Sequence, residues 1–256
     1  MTVAFLAALV VLLLPAPAAA SQARDLERLR RADAAWSYLD SDFSAEYHIV
    51  QDVPGRGRST TVAAVFRRDR QDIYTIVILE PEADRGQGYL KQGDTLWIYD
   101  PVGARFNVTS SRERFQNTNA RNSDFTQSTL AEDYRIVGVT PTQLGRHAAY
   151  LYDLESDRDG VTFPIMRAWI TDDGRILKTE DFSRSGQLMR TTAIPDYQQV
   201  AGRLIPQRIF IIDALEGAMI DGRFVNERTI ITVTRPSFQP VPNSVFSKSF
   251  LERIRR

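Results

Sequence analysis

The chain has 256 residues, 43% hydrophobic and 25% charged, which is ordinary globular composition with room for a sizeable core. Thirty-two basic residues balance 32 acidic ones, so no excess of positive charge argues for a nucleic-acid partner. With 0 cysteines the chain has no disulfide, no thiolate metal site, no cysteine nucleophile and no lipidated-cysteine anchor of its own. Lysine occurs only at Lys91, Lys178 and Lys248, so arginine carries nearly all the positive charge. A compositional bias and pairing with lipid phosphates both account for that.

Residues 1–20 read as a secretory signal peptide. Val3 to Leu14 is an apolar run, Pro15 and Pro17 break it, and Ala18-Ala19-Ala20 supplies small residues for cleavage. The run is short for a membrane span, which needs about 20 apolar residues. No Lys or Arg precedes it, so an uncleaved anchor is the alternative. Residues 21–256 are expected to form a single domain.

Ala23 to Leu39 has helical periodicity, with Leu26, Leu29, Ala32, Trp36 and Leu39 on one face. From Ser44 the pattern changes to strands: Ala45 to Val53, Ser59 to Arg67, and Asp72 to Leu79. The third is apolar on both faces, which places it between two apolar layers. Glu80, Glu82 and Asp84 make an acidic loop without the glycine punctuation of a calcium site. Tyr89-Leu90 and Thr95 to Tyr99 form a hairpin across Gly93, Asp100-Pro101 stops it, and Arg105 to Thr109 returns. Ser110 to Asn122 is polar and reads as a surface loop beside a short helix, Asp124 to Glu132.

The second half reads as a meander: Tyr134 to Thr140, Arg146 to Glu155, Pro164 to Thr171, Arg175 to Phe182, Gln187 to Ile194, Tyr197 to Ala201, Arg208 to Asp213 and Glu227 to Thr234. Asp172-Asp173-Gly174 is a strong hairpin turn. The acidic loop from Glu155 to Gly160 suggests a calcium loop, but its twelfth position is Met166 and the match fails. Ser247 to Ile254 closes the chain as a short helix-compatible piece after an extended tail.

No catalytic or metal motif appears. His48 and His147 are the only histidines and stand apart in sequence, no Gly-x-Ser-x-Gly elbow occurs, and no phosphate-binding glycine loop is complete. What is present is apolar surface on strands. Phe66, Ile76, Ile78, Trp97, Tyr99, Met166 and Trp169 are the candidates to line a cavity, since a curved sheet encloses volume its own side chains need not fill. Each is equally a candidate for plain core.

Several segments resemble the LolA-like outer-membrane lipoprotein-sorting family. They are Gly88-Tyr89-Leu90, Gly93-Asp94, Trp97-Ile98-Tyr99-Asp100-Pro101, and Ser123-Asp124-Phe125 with Glu132-Asp133. Downstream come Ala168-Trp169-Ile170, Leu177-Lys178-Thr179-Glu180, Gly186-Gln187-Leu188, Gly202 with Ile205-Pro206, and Phe246-Ser247 with Leu251. The resemblance implies a mainly β fold: an open, curved antiparallel half-barrel with helices capping its mouth. Leu29 and Trp36 are then candidates for the mouth helix. It further implies a monomeric periplasmic carrier, not an enzyme and without a cofactor. Such a carrier binds acyl chains of lipoproteins or lipids, and works with an inner-membrane ABC-type exporter and an outer-membrane acceptor. A periplasmic sensor module and a lipid hydrolase using His48 or His147 as base are the alternatives.

Overall fold

A computed structural model describes residues 17–254, with side chains from residue 21. The expected leader lies outside the described residues, except that residues 17–20 begin the first helix, α1 (Pro17–Trp36). Among the described residues no helix is long and apolar enough to cross a membrane.

The first run of strands is β1 (Phe43–Val53), β2 (Gly57–Arg68), β3 (Ile73–Glu80), β4 (Gly88–Gln92), β5 (Thr95–Asp100) and β6 (Arg105–Thr109). The second is β7 (Arg135–Leu144), β8 (His147–Glu155), β9 (Ile165–Ile170), β10 (Ile176–Phe182), β11 (Leu188–Val200), β12 (Arg203–Ile220) and β13 (Arg223–Ser237). All join one antiparallel sheet in the order β6-β5-β4-β3-β2-β1-β13-β12-β11-β10-β9-β8-β7. Each run is a meander, and β1 pairing with β13 fuses them at the centre. The outer edges, β6 and β7, do not meet, so the sheet is an open half-barrel, as the LolA resemblance implied.

Side chains alternate between the two faces of each strand. On the inner face lie Phe43, Tyr47 and Ile49 of β1, Ala63 and Val65 of β2, Ile76 and Ile78 of β3, and the apolar rows of β8 to β13. β3 is apolar on its other face too, because a second layer covers it. The chain after β13 crosses the outer face and ends in α3 (Lys248–Arg253), whose Leu251 packs with Val77, Leu90 and Tyr99. That approach depends on Gly88: a Cβ there would lie 2.5 Å from Leu251 Cδ2.

Several strands run longer than their local patterns predict. Gln187 to Ile194 and Tyr197 to Ala201 are one strand, because a register shift between Ala193 and Asp196 absorbs Pro195 without ending the ladder. The predicted Arg208 to Asp213 and Glu227 to Thr234 are the middles of β12 and β13, which extend into a long hairpin paired to Ile220–Arg223. Near its tip Met219 is 64% and Phe224 53% exposed, so no core periodicity marks it.

The largest departure is Ser110 to Asn122. Its polar sequence predicts a surface loop, yet it dives onto the inner face of the β1–β5 half. Phe115 and Ala120 are fully buried, and Phe115 stacks between Tyr89 and Phe125 at 4.7 and 4.5 Å. The Asn119 backbone amide is tied to β13 and β1, donating to Thr229 Oγ1 at 2.8 Å and to Gln51 Oε1 at 3.2 Å. After a 3₁₀ turn at Asn122–Phe125, α2 is only Leu130–Asp133, shorter than expected.

The outer layer is pinned by one buried ion pair. Arg68 donates to Asp42 through Nε at 2.9 Å and Nη2 at 2.8 Å, and its Nη1 reaches Asn243 Oδ1 at 2.6 Å. Asp42 also accepts the Val241 amide at 2.8 Å. The Arg68 guanidinium holds the Asp42 carboxyl well below the usual carboxylate range. Because the folded value is depressed, this stabilisation is full above the unfolded carboxylate value of about 4 and is lost as pH falls through the folded value. Urea denaturation across an acid pH series should therefore show a shallower loss of stability for Asp42→Asn than for the native chain; identical slopes would contradict this role.

Candidate functional site

The inner face is not filled evenly. The segment bearing Phe115 occupies the β1–β5 half, and a cavity of about 700 Å³ remains mainly over the other half. That volume lies within the range of roughly 300–1,000 Å³ typical of small-molecule sites. Its apolar wall is made by Ile194 of β11, Ile205, Ile209 and Ile211 of β12, Ile231 and Val233 of β13, with Met166 of β9 and Ile176 of β10. Trp36 and Tyr38 at the end of α1, Leu130 of α2, and Phe163 in the β8–β9 connection complete the enclosure. Ser123, Thr126, Gln127, Ser128, Glu132, Asp133 and Arg158 contribute polar lining.

Three polar clamps position the elements over the cavity. The side chain of Arg28 on α1 is almost fully buried; it donates to Tyr152 OH at 3.0 Å, to Asp25 at 3.0 Å and to Asp172 at 3.1 Å, and lies 3.5 Å from the Tyr150 ring centroid. Asp172 belongs to the β9–β10 turn, and the same turn needs glycine at Gly174: φ is +86°, and a Cβ would meet the Arg31 backbone at 2.9 Å. Asp33, one turn further along α1, accepts Ser128 Oγ at 2.6 Å and the Leu130 and Ala131 amides at 2.8 Å each. It supplies from another helix the acceptors that the first amides of α2 lack. Burial pushes its carboxyl above the usual value, against these hydrogen bonds.

The third clamp is Arg67 of β2. Its Nε and Nη2 bond both oxygens of Asp69, at 3.0 and 2.6 Å, and Nη2 also reaches the Trp36 carbonyl at 2.9 Å. Asp69 in turn accepts the Tyr38 amide at 2.8 Å. The pair is buried on both sides, so its charges are satisfied only in this arrangement, with the end of α1 seated.

One further arginine sits in the cavity wall. Arg190 of β11 donates through Nε to Asp181 Oδ2 at 2.8 Å and through Nη1 to Asp124 at 2.8 Å, and lies 4.7 Å from the Phe163 ring centroid. Asp181, opposite it on β10, is fully buried, and burial pushes its carboxyl up against the pull of Arg190. Next along the same face, Thr192 lines the cavity opposite Thr179.

The residues singled out in sequence fall into different places. Met166 lines the cavity, and so does Trp36 of the mouth-helix pair. Leu29, Ile76 and Ile78 are fully buried in the inner core and do not line it. Phe66, Trp97 and Tyr99 belong to the outer face: Phe66 packs on Phe250, while Trp97 and Tyr99 join the cluster around Leu251. Trp169 alternates with the inward Ala168 and Ile170 and carries Lys178 Nζ at 4.7 Å from its ring centroid. These four are displaced because a strand covered on both sides shows apolar residues at both parities, and periodicity cannot say which side faces the cavity. His48 pairs with Glu46 at 2.8 Å on the face of β1 opposite Tyr47, and neither histidine lines the cavity. The missed wall residues, Ile205, Ile209 and Ile211 with Ile231 and Val233, do carry a signal: Ile209 with Ile211 and Ile231 with Val233 are apolar alternations on two adjacent strands. Arg190 carries none.

A family model described as "Uncharacterized protein" matches residues 70–253. No curated protein matches the chain. Among solved structures, a LolA superfamily protein from Nitrosomonas europaea is 22% identical with a TM-score of 0.72, covering 88% of this chain and 97% of its own. A putative outer membrane lipoprotein-sorting protein domain from Vibrio parahaemolyticus is 18% identical with a TM-score of 0.76, covering 89% and 98%. A DUF1329 family protein from Desulfovibrio piger is 16% identical with a TM-score of 0.75, covering 90% and 98%. At these identities the likeness establishes a LolA-like fold.

The clamp at Asp33 gives a local prediction. In Asp33→Ala the Leu130 and Ala131 amides lose their acceptor, at a cost of about 1–3 kcal/mol. Hydrogen exchange of these two amides should then quicken by about tenfold or more, while amides of β12 and β13 keep their protection. Unchanged exchange at Leu130 and Ala131 would show that Asp33 does not hold α2.

Proposed function

The chain belongs to this "Uncharacterized protein" family and has a LolA-like fold, and from that premise we propose that it is a periplasmic carrier. Its cargo is the acyl chain of a lipoprotein or lipid, held in the inner-face cavity and passed to a membrane partner. The observation that supports this most is the cavity itself: about 700 Å³, walled on one side by six aliphatic residues of β11 to β13, under a helix and a crossing segment held by polar clamps. An acyl chain entering it gains about 0.8 kcal/mol for each methylene taken from water, so a long chain is held without covalent chemistry. Release then requires that the clamped elements move or that a partner offers equal burial.

The reading is of binding, not catalysis. The wall contains no histidine to act as a base, and of its carboxylates Asp124 is engaged by Arg190, Glu132 and Asp133 by Arg158, and Asp72 by Lys91. An inner-membrane ABC-type exporter and an outer-membrane acceptor are the proposed partners, by analogy with the lipoprotein-sorting name of the Vibrio parahaemolyticus neighbour.

Filling the cavity tests the reading. Ile209 lines it from β12 and is 7% exposed, so Ile209→Trp places a larger ring in empty space with the strand pairing intact. Affinity for a palmitoyl-tailed fluorescent probe should fall by about tenfold or more, while circular dichroism stays native. A folded Ile209→Trp protein that binds the probe as tightly as the native chain would sink the cavity assignment.

A further inference from the structure

Arg190 stands in the cavity wall on the same face of β11 as Ile194, and the carrier role does not use it. Two of its three guanidinium nitrogens are taken: Nε by Asp181 and Nη1 by both oxygens of Asp124, at 3.0 and 2.8 Å. Nη2 donates to no protein acceptor among the described residues, although Arg190 lines the cavity and its side chain is only 13% exposed. The two carboxylates and the Phe163 face fix the guanidinium plane, so its position is set before any ligand arrives. A donor held this way at an apolar wall asks for an acceptor oxygen on the ligand.

The surrounding charge decides which kind. Two guanidinium groups share the Phe163 ring, Arg190 and Arg121, and two carboxyl groups, Asp181 and Asp124, face them, so with both carboxyls ionised the group carries no net positive charge. A ligand carboxylate would bring a further negative charge beside Asp124. Beyond these four, Arg114 is neutralised by Asp213 at 2.8 Å. An uncharged carbonyl oxygen accepts from Nη2 with no such repulsion. Next to Arg190 on the same face come Thr192 and then Ile194, so a carbonyl at Arg190 would have its hydrocarbon tail running along the isoleucine wall.

Resting on the carrier reading, we infer that Arg190 is a specificity-determining residue that reads the carbonyl of an acyl ester or amide, so that the cavity takes esterified or amide-linked acyl chains in preference to free fatty acids. Diacyl lipids and lipoprotein N-termini both present this group, and a free fatty acid presents a carboxylate in its place.

The test compares ligands that differ only in the carbonyl. The affinity of the native protein for a monoacylglycerol and for the matching 1-O-alkylglycerol, with the same chain and glycerol but an ether link, is measured by isothermal titration calorimetry, with the free fatty acid of equal length alongside. The ester should bind about tenfold or more tighter than the ether, the range for a hydrogen bond to a charged group. It should also bind tighter than the fatty acid at neutral pH. In Arg190→Lys, which keeps a cation beside the two carboxylates, the ester-to-ether ratio should fall toward one while the ether's own affinity is retained. Equal ester and ether affinities in the native protein would overturn the role of Arg190 and leave the carrier reading standing. Tighter binding of the fatty acid would overturn it as well. If none of the three binds, the carrier reading fails and this inference with it.

Discussion

The sheet of this protein does not close, and most of the structure answers that fact. Thirteen antiparallel strands curl far enough to create an inner face but leave β6 and β7 as separate edges. The chain must travel from one edge to the other, and it does so across the inner face through residues 110–134. That crossing resolves two problems together. It buries the inner face of the β1–β5 half under Phe115 and Phe125, and it carries α2 to the rim of the other half. What the crossing segment and α1 leave uncovered becomes the cavity. A closed barrel of this size would need no such cover.

The cover is held by charge and hydrogen bonding where the sheet is held by apolar packing. Arg28, Asp33 and Arg67 each tie an end or turn of α1 to a different neighbour: the β9–β10 turn, α2 and β2. Each clamp is directional, and the Arg67–Asp69 pair is buried on both sides, so the cover has one well-defined seat. In the outer layer Leu251, Val245 and Phe246 pack on apolar sheet residues, and the Arg68–Asp42 pair locks the chain beside them. Both faces of the sheet are thus covered by apolar packing together with buried polar ties.

The amino-acid sequence carried the architecture well. Alternation, turn residues such as Gly93 and Gly174, and the two-faced apolar pattern of β3 lead to an antiparallel meander with layers on both sides. The segments resembling the LolA-like family point to an open half-barrel, and the solved structures agree in fold. The site was less legible, for a physical reason. In a sheet covered on both faces, apolar residues at both parities are buried, so Trp97 and Tyr99 look like cavity residues and are in fact under α3. Phe115 was hidden because a single aromatic in a polar stretch has no periodicity to announce it. Arg190 was hidden because its meaning lies in Asp124 and Asp181, which are distant in sequence or on the neighbouring strand.

An apolar wall, a polar-latched cover and the unpaired donor of Arg190 are the features on which the proposed acyl-carrier role rests. Native mass spectrometry of the protein isolated from a periplasmic extract tests this account most directly. The account predicts a bound acyl lipid or acylated peptide near one-to-one stoichiometry, released intact on organic extraction. A protein that arrives without ligand and takes up neither added acyl lipid nor lipopeptide would contradict it.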